Sequence, residues 1–328
     1  MQAGLYHRLG PAKDVLVIEE LEKPEPAKGQ VRVRMMSSGV NPSDVKTRAG
    51  KGRPMTASWQ IPHSDGAGVI DAVGDGVATS RIGEKVWIFN AAFMRPLGTS
   101  AEWTVVPSET APRLPDGLGF DEGACLGIPV MTAHRSIYVG GVPKQGETIL
   151  VTGGAGVVGH YAIQLAKWAG ATVLTTVSSD QKAAHAKQAG ADYVINYKNQ
   201  DVIKEVKSIV GEEGVDRIID VDFGKNFPIS LEIIKSGGCI SSYASMGSPT
   251  PTYPFYAAMF KNLSVHHVFV YTMSNIAKQQ AINDIERWAK TGNPKFAIAN
   301  KFKFTEIIKA HEAVELGSKI GHVILSQQ

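Results

Sequence analysis

The 328-residue chain has only two cysteines, Cys125 and Cys239. That count excludes both a disulfide framework and a four-cysteine zinc lobe. No uninterrupted apolar run approaches the roughly 20 residues that a membrane-spanning helix needs. The opening residues, Met1 to Arg8, lack a charged-then-apolar signal pattern, so a cytoplasmic protein without a membrane segment is expected. Charge of one sign is also scarce, with 34 Lys and Arg against 31 Asp and Glu. With no basic block or basic stretch interleaved with aromatics, charge alone does not favour nucleic acid as a partner. What remains, 43% hydrophobic and 20% charged residues, is an ordinary globular composition with enough chain for two cores.

The first third alternates short strand-like runs with turn residues: Val31–Met36, Gly68–Val73, Lys85–Phe89 and Glu102–Val106. Period-two patterning broken by Gly and Pro predicts a barrel-like antiparallel β domain. From residue 148 the rhythm changes to alternating strands and helices. Strands are expected at Thr148–Thr152, Ala171–Val177, Tyr193–Asn196, Arg217–Val221 and Cys239–Tyr243. Between them come a helix after Gly159 and helices at Gln181–Gln188, Val202–Val210 and Pro228–Lys235. This βαβ series implies an α/β domain with a doubly wound parallel sheet. A strand Val265–Tyr271, a helix Asn275–Lys290, a helix Thr305–Leu316 and a strand His322–Leu325 complete the chain. The last of these is expected to return to the β domain.

The most informative stretch runs from Ile149 to Gly159, where an apolar strand passes through a glycine turn into a helix. Gly154 allows the tight turn, Gly156 lets backbone approach a pyrophosphate, and Gly159 permits close packing of helix on strand. The first helical N–H groups have no partner within the helix and face the anion with the positive end of the helix dipole. Gly154, Ala155, Gly156, Val157 and Val158 are therefore cofactor-binding candidates.

A Rossmann unit that prefers NAD usually ends its second strand in an acid for the ribose 2′-hydroxyl. Here the strand runs into Ser178 and Ser179, both small and uncharged. Lys182 follows one turn later and Tyr197 comes after the third strand, a set suited to a 2′-phosphate and hence to NADPH; the other readings are a solvated helix residue for Lys182 and a packed loop aromatic for Tyr197. Asp180 reads either as a displaced ribose acid or, more simply, as a helix N-cap.

The order of β domain, Rossmann unit and short return segment resembles the medium-chain dehydrogenase/reductase superfamily. Within it, the zinc-free quinone oxidoreductases, the zeta-crystallin-like group, match best. The resemblance rests on Gly39 to Gly50 (GVNPSDVKTRAG), Ile61 to Ile70 (IPHSDGAGVI), Gly98 to Trp103, Ala124 to His134 and the glycine loop. It implies a GroES-like catalytic domain at 1–128 and 272–328, and a Rossmann NADP-binding domain at 129–271.

Zinc alcohol dehydrogenases of this superfamily hold a catalytic metal with a cysteine, a histidine and a second cysteine. At the matching places this chain has Asn41, His63 and Ile128, so no metal is expected; an improvised site would have to recruit Asp65 or Cys125. Without a metal, the acceptor must already be electrophilic, as quinones and conjugated enones are, and needs help only with charge developing on oxygen.

The resemblance implies that Asn41 contacts cofactor or substrate, although a turn-capping role through Pro42 is also open. Lys46 stands where family members often carry tyrosine. It is a candidate donor to a developing phenolate, an attractor of cofactor phosphates, or a surface lysine. His63 is either a third catalytic candidate or a hydrogen-bonded turn residue, and Asp44 and Arg48 are expected to pair at i and i+4. Thr132, Val221, Tyr243, Ala244, Ser245 and Val270 complete the implied cofactor contacts.

NADPH-dependent reduction of a quinone is the leading expectation. Reduction of an activated C=C bond in an enone or enoyl thioester is the rival, and a non-enzymatic nucleotide- or RNA-binding or structural role is a third reading. A homo-oligomer, dimer or tetramer, is also implied, with the strand after residue 264 as a pairing edge.

Overall fold

The computed structural model describes residues 1–318 and 320–327. They form two compact units, Met1–Ile128 with Phe296–Gln328, and Pro129–Lys295.

In the first unit the strand Gln30–Val40 is central. It pairs antiparallel with Asp65–Val73, Trp103–Pro107 and His322–Ser326, and the sheet continues to Lys85–Ile88 on one side and Ile298–Lys303 on the other. Alternate residues Val31, Val33 and Met35 enter a core with Ile70, Val86, Ile88 and Val106. This is the inward-facing half of the period-two pattern. The C-terminal strand does return here, with Val323 opposite Val40 and Ser326 opposite Ser37.

The second unit is a six-stranded parallel sheet in the order Ser264–His267, Ile234–Ser242, Val215–Asp220, Thr148–Val151, Thr172–Val177 and Tyr193–Asn196. The first strand of the series lies in the middle and the order reverses between Thr148–Val151 and Val215–Asp220. Ligands of doubly wound sheets bind at that switch point, beyond the carboxyl ends of the strands.

Three elements differ from expectation. The helix predicted at Pro228–Lys235 occupies Phe223–Ile233, with Pro228 inside it. Phe223 and Phe227, one turn apart with ring centroids 4.6 Å from each other, are both buried. Their packing outweighs the backbone hydrogen bond that proline forfeits. The strand predicted at Val265–Tyr271 stops at His267 because its partner ends at Ser242, and Val270–Thr272 forms a 3₁₀ turn instead.

The third difference is the segment 272–295, expected in the first unit but found in the second. It carries the helix Asn275–Thr291, whose Trp288 is buried edge-on against Tyr161 with centroids 6.1 Å apart. Asp284 on the same helix accepts a 2.8 Å bond from His134 Nε2, and both side chains are almost fully buried. Replacing Asp284 by Asn keeps an acceptor but removes the charge. It is expected to cost about 1 kcal/mol of stability, as a charge-assisted bond becomes a neutral one. Equal urea midpoints for variant and wild type would contradict this.

Candidate active site

The glycine turn is built as a cradle. Thr152 directly follows the central strand, its hydroxyl donating to Asp220 Oδ1 at 2.9 Å and accepting from the Val221 N–H at 3.0 Å. The turn is thereby tied to the neighbouring strand end. Gly153 N–H donates to Thr176 Oγ1 and Gly154 N–H to the Thr176 carbonyl, both at 3.1 Å. The left-handed conformation in the turn falls on Gly153, with φ +67°. Gly154 has a different need: a Cβ there would run into the Thr175 side chain. At Gly159 a Cβ would come within 2.5 Å of the Gly153 carbonyl oxygen and 2.9 Å of Gly154 Cα, so close helix packing is required at that position. Gly156 is the N-cap of the helix Val157–Trp168 and is exposed, and Val157 and Val158 form its first turn. Ala155 is buried beneath the turn.

Ser178, Ser179 and Lys182 gather just past the strand Thr172–Val177. Lys182 Nζ donates to Ser178 Oγ at 2.9 Å. Ser179, and not Asp180, is the N-cap of the helix Asp180–Gln188, its hydroxyl accepting from the Lys182 N–H at 3.3 Å. Asp180 is the first helical residue, where an acid suits the helix dipole. Tyr197 follows the strand Tyr193–Asn196 and is 47% exposed, with the Lys198 ammonium 5.6 Å from its ring centroid.

The remaining expected contacts divide. Thr132 is the second residue of the helix Met131–Tyr138 and is buried. Val221 and Tyr243 directly follow two neighbouring strand ends. The Ala244 carbonyl accepts from Phe223 N–H, and Ser245 Oγ both accepts from Gly224 N–H at 2.9 Å and donates to the Ser248 carbonyl at 2.5 Å. Ala244 and Ser245 thus shape the loop. Val270 is buried in the 3₁₀ turn and does not end a strand.

In the first unit, Asn41 is the N-cap of the helix Pro42–Arg48; its N–H donates to Asp44 Oδ2 at 2.9 Å. Its side-chain Nδ2 donates to Asp65 Oδ2 at 2.7 Å, and the Ile128 N–H reaches both Asp65 oxygens at 2.9 Å. Lys46 is half-buried in the last turn of the same helix. Arg48 does not pair with Asp44. It is fully buried, donates to the Gly10 carbonyl and forms its ion pair with Glu315.

The ring nitrogens of His63 are taken up by a chain of buried hydrogen bonds. The Thr99 hydroxyl donates to the Asp65 carbonyl at 2.6 Å, so it accepts from Ser38 Oγ at 2.7 Å, and Ser38 in turn accepts from His63 Nδ1–H at 2.8 Å. His63 Nε2 must then accept from His311 Nε2–H at 2.9 Å. Each hydroxyl has one proton, and the chain of donors fixes both tautomers. No ring nitrogen of His63 is left for a substrate, and the expected chemical role gives way to a structural one. The bonds also hold His63 at φ +75°, a strained backbone for a residue with a Cβ. Burial pushes His63 down to about 3 and His311 well below the usual histidine range, so both are neutral.

The two carboxyls beside Asn41 shift upward. Burial raises Asp44 to about 7, opposed by the Asn41 N–H and by Arg53; burial and the neighbouring Asp44 raise Asp65 well above the carboxylate range. An unfolded aspartate ionises near pH 3.8, so between there and pH 7 the folded chain holds a proton that the unfolded chain has lost. Stability from Asp44 is therefore present at low pH and lost as pH rises through 7. The buried histidines titrate in the opposite sense, losing stability as pH falls below 6.5. Asp44→Asn isolates the first effect: the variant is expected to gain about 2 kcal/mol on wild type between pH 5 and pH 7. A stability difference constant with pH would overturn the assignment.

Sequence reasoning left Asp65 as no more than an improvised metal ligand and did not single out Ser38, Thr99 or His311. Asp65 and Thr99 lie in segments that carried the family resemblance, so a signal existed without a role attached. His311 lies 248 residues from His63 and carried none. Among the described residues, no three His, Cys, Asp or Glu side chains gather in a metal-binding group. No helix among them is long and apolar enough to cross a membrane.

Comparison with known proteins identifies the family of the chain. Residues 27–116 match the alcohol dehydrogenase GroES-like domain and residues 157–287 match the zinc-binding dehydrogenase family. The quinone oxidoreductase of Rattus norvegicus is 31% identical over 330 residues, covering 99% of this chain and 97% of that protein. A 2-haloacrylate reductase of Burkholderia sp is 28% identical, covering 100% of this chain and 99% of that protein. The crystal structure of Escherichia coli quinone oxidoreductase complexed with NADPH has a TM-score of 0.87 at 25% identity, covering 99% of this chain and all of that one. The chain belongs to the medium-chain dehydrogenase/reductase superfamily, in its zinc-free quinone oxidoreductase group. It is an oxidoreductase.

Proposed function

We propose that the chain is an NADPH-dependent, zinc-independent reductase of quinones. The observation that carries this reading is the Lys182–Ser178 pair, 2.9 Å apart, at the place where an NAD-preferring unit carries an acid. A cation and a hydroxyl suit a phosphate, and Tyr197 lies on the adjacent strand end. The pyrophosphate would lie on the helix N-terminus at Gly156–Val158, over a turn whose glycines leave no Cβ in its way. Thr132, Val221 and Tyr243 are proposed to line the remainder.

When bound, the reduced nicotinamide supplies a hydride. The residues supply orientation and a donor for charge that develops on the acceptor oxygen. Asn41 is proposed as that donor, with Lys46 as an auxiliary cation and His63 confined to structure.

A quinone acceptor is supported by full-length likeness to quinone oxidoreductases such as the rat protein. A second reading, reduction of an activated C=C bond, is favoured by the full-length likeness to the haloacrylate reductase. Turnover of NADPH against a panel of quinones, enones and haloacrylates separates the two. Higher kcat/KM for benzoquinones than for any alkene supports the first, and the reverse order replaces it with the second.

A homo-oligomer built on the second unit is proposed from the strand Ser264–His267, which among the described residues has a partner on one side only. The nearby helix Phe255–Phe260 exposes Phe255, Tyr256 and Phe260, between 61 and 75% accessible each. Light scattering at the mass of a single chain would refute this.

A further inference from the structure

The first unit holds a small polar cavity of about 10 Å³, room for about one water molecule, beside the Asn41 helix. Asp44 and Thr47 of the helix Pro42–Arg48 line it, together with Arg53, Gln60 and His63. It adjoins the proposed reduction site, because the Asp44 carboxyl in its wall also accepts the Asn41 N–H at 2.9 Å. The chain doubles back to bring Arg53 there. Gly50 has φ +78°, and a Cβ on Gly52 would stand 2.6 Å from Thr47 Oγ1 and 2.8 Å from Thr47 Cα, so the segment lies directly against the helix. We propose that Arg53 is a specificity-determining residue that seats a carboxylate of the acceptor, so that the substrates are anionic quinones or conjugated acids. The proposal rests on the reading of the chain as a reductase of quinones or activated alkenes.

Charge is the reason. The Arg53 guanidinium lies 4.8 Å from the centroid of the Phe93 ring, a contact that holds the group in place without neutralising it. The other titratable side chains of the wall bring little opposing charge. His63 has both ring nitrogens bonded and is neutral, and burial raises the Tyr6 phenol well above its usual range. Asp44 accepts from the Asn41 and Ser64 N–H groups and feels Arg53 through space; burial raises it to about 7, so it is largely protonated at pH 6. Lys46 and Lys51 belong to the same stretch of chain, and Arg48 is matched by Glu315, which leaves an excess of positive charge. A planar carboxylate takes two guanidinium N–H groups at once and gains more than a neutral carbonyl does. One of its oxygens fills the space of the single water.

The test pairs molecules that differ in one charge, at about pH 6, where a carboxylate is ionised. Benzoate and benzamide are titrated calorimetrically into wild type, Arg53→Gln and Arg53→Lys at saturating NADPH, which keeps the anion off the cofactor site. NADPH oxidation is then measured with a benzoquinone monocarboxylate against its carboxamide, and with acrylate against acrylamide. Wild type is expected to bind benzoate about 10- to 100-fold more tightly than benzamide, and Arg53→Gln to bring the two within about twofold. The same substitution should lower the carboxylate-to-carboxamide ratio of kcat/KM by a similar factor, mainly through KM. Arg53→Lys keeps the charge without the two-pronged donor and should retain part of the preference. Each protein is compared with itself, so differences in acceptor reactivity or overall activity cancel.

Equal binding of benzoate and benzamide by wild type overturns the proposal, and that comparison needs no variant to fold. A preference that survives Arg53→Gln, or a kcat/KM ratio that Arg53→Gln leaves unchanged, overturns it as well. Absence of NADPH oxidation with every quinone and alkene overturns the reductase reading instead, and the titration still decides whether Arg53 holds a carboxylate.

Discussion

Replacing Gly159 by alanine is expected to cost about 2 kcal/mol of stability and to weaken NADPH binding at least tenfold, whereas Gly156→Ala is expected to weaken binding with little loss of stability. The two glycines belong to one turn but are required for different reasons. A methyl on Gly159 would sit 2.5 Å from the Gly153 carbonyl oxygen and 2.9 Å from Gly154 Cα, and neither backbone atom has a rotamer to escape into. The helix Val157–Trp168 must back away from the turn, and the N–H groups that face the pyrophosphate move with it. Gly156 has φ −72° and ψ 158°, which alanine adopts freely, and its added methyl meets only the Gly153 oxygen at 3.2 Å. As an N-cap, alanine is worse than glycine by under about 1 kcal/mol. The loss at that position falls on the ligand, because the methyl occupies the approach to the phosphates. Thermal melts and NADPH titrations of both variants check this, and wild-type affinity in Gly156→Ala would remove the pyrophosphate from that turn.

Lys182→Ala is expected to raise the dissociation constant for NADPH about 10- to 100-fold and to leave that for NADH unchanged. The factor is the net worth of one charge-assisted hydrogen bond to a phosphate, about 1.5–3 kcal/mol. The half-buried ammonium is already held on Ser178 at 2.9 Å, so little side-chain entropy is lost on binding. The preference should narrow at high salt, since the site opens to solvent. If both coenzymes weaken together, Lys182 serves the pyrophosphate or the fold and not the 2′-phosphate, and Asp180 regains its claim as the ribose acid.

Much of this was legible locally. The glycine turn, the strand and helix on either side of it, and the Ser178–Lys182 spacing all lie within about 35 residues of chain. Their chemistry follows from backbone geometry and short-range periodicity. The parallel sheet was readable because each βαβ unit declares its own handedness and neighbours. Errors appeared where packing decided: Phe223 and Phe227 drew a helix across Pro228, and the end of a partner strand at Ser242 cut short the strand expected to reach Tyr271.

The residues around Asn41 show the boundary most clearly. The family resemblance placed Asn41 where zinc relatives carry a cysteine, and Ile128 at a second ligand position that cannot bind metal. Whether His63 joined them depended on which way a ring in a left-handed turn would point. That was settled by Ser38 and Thr99, which lie 25 and 36 residues away in the chain, and by the distant His311 on the helix Ile307–Leu316, all brought together only by the folded first unit. The same holds for Asp65, whose two donors are supplied by separate segments. Cofactor recognition is written in contiguous residues because a turn and a helix N-terminus are local objects. Orientation of the reacting groups is not, because a buried hydrogen-bond network exists only after the chain has closed around it.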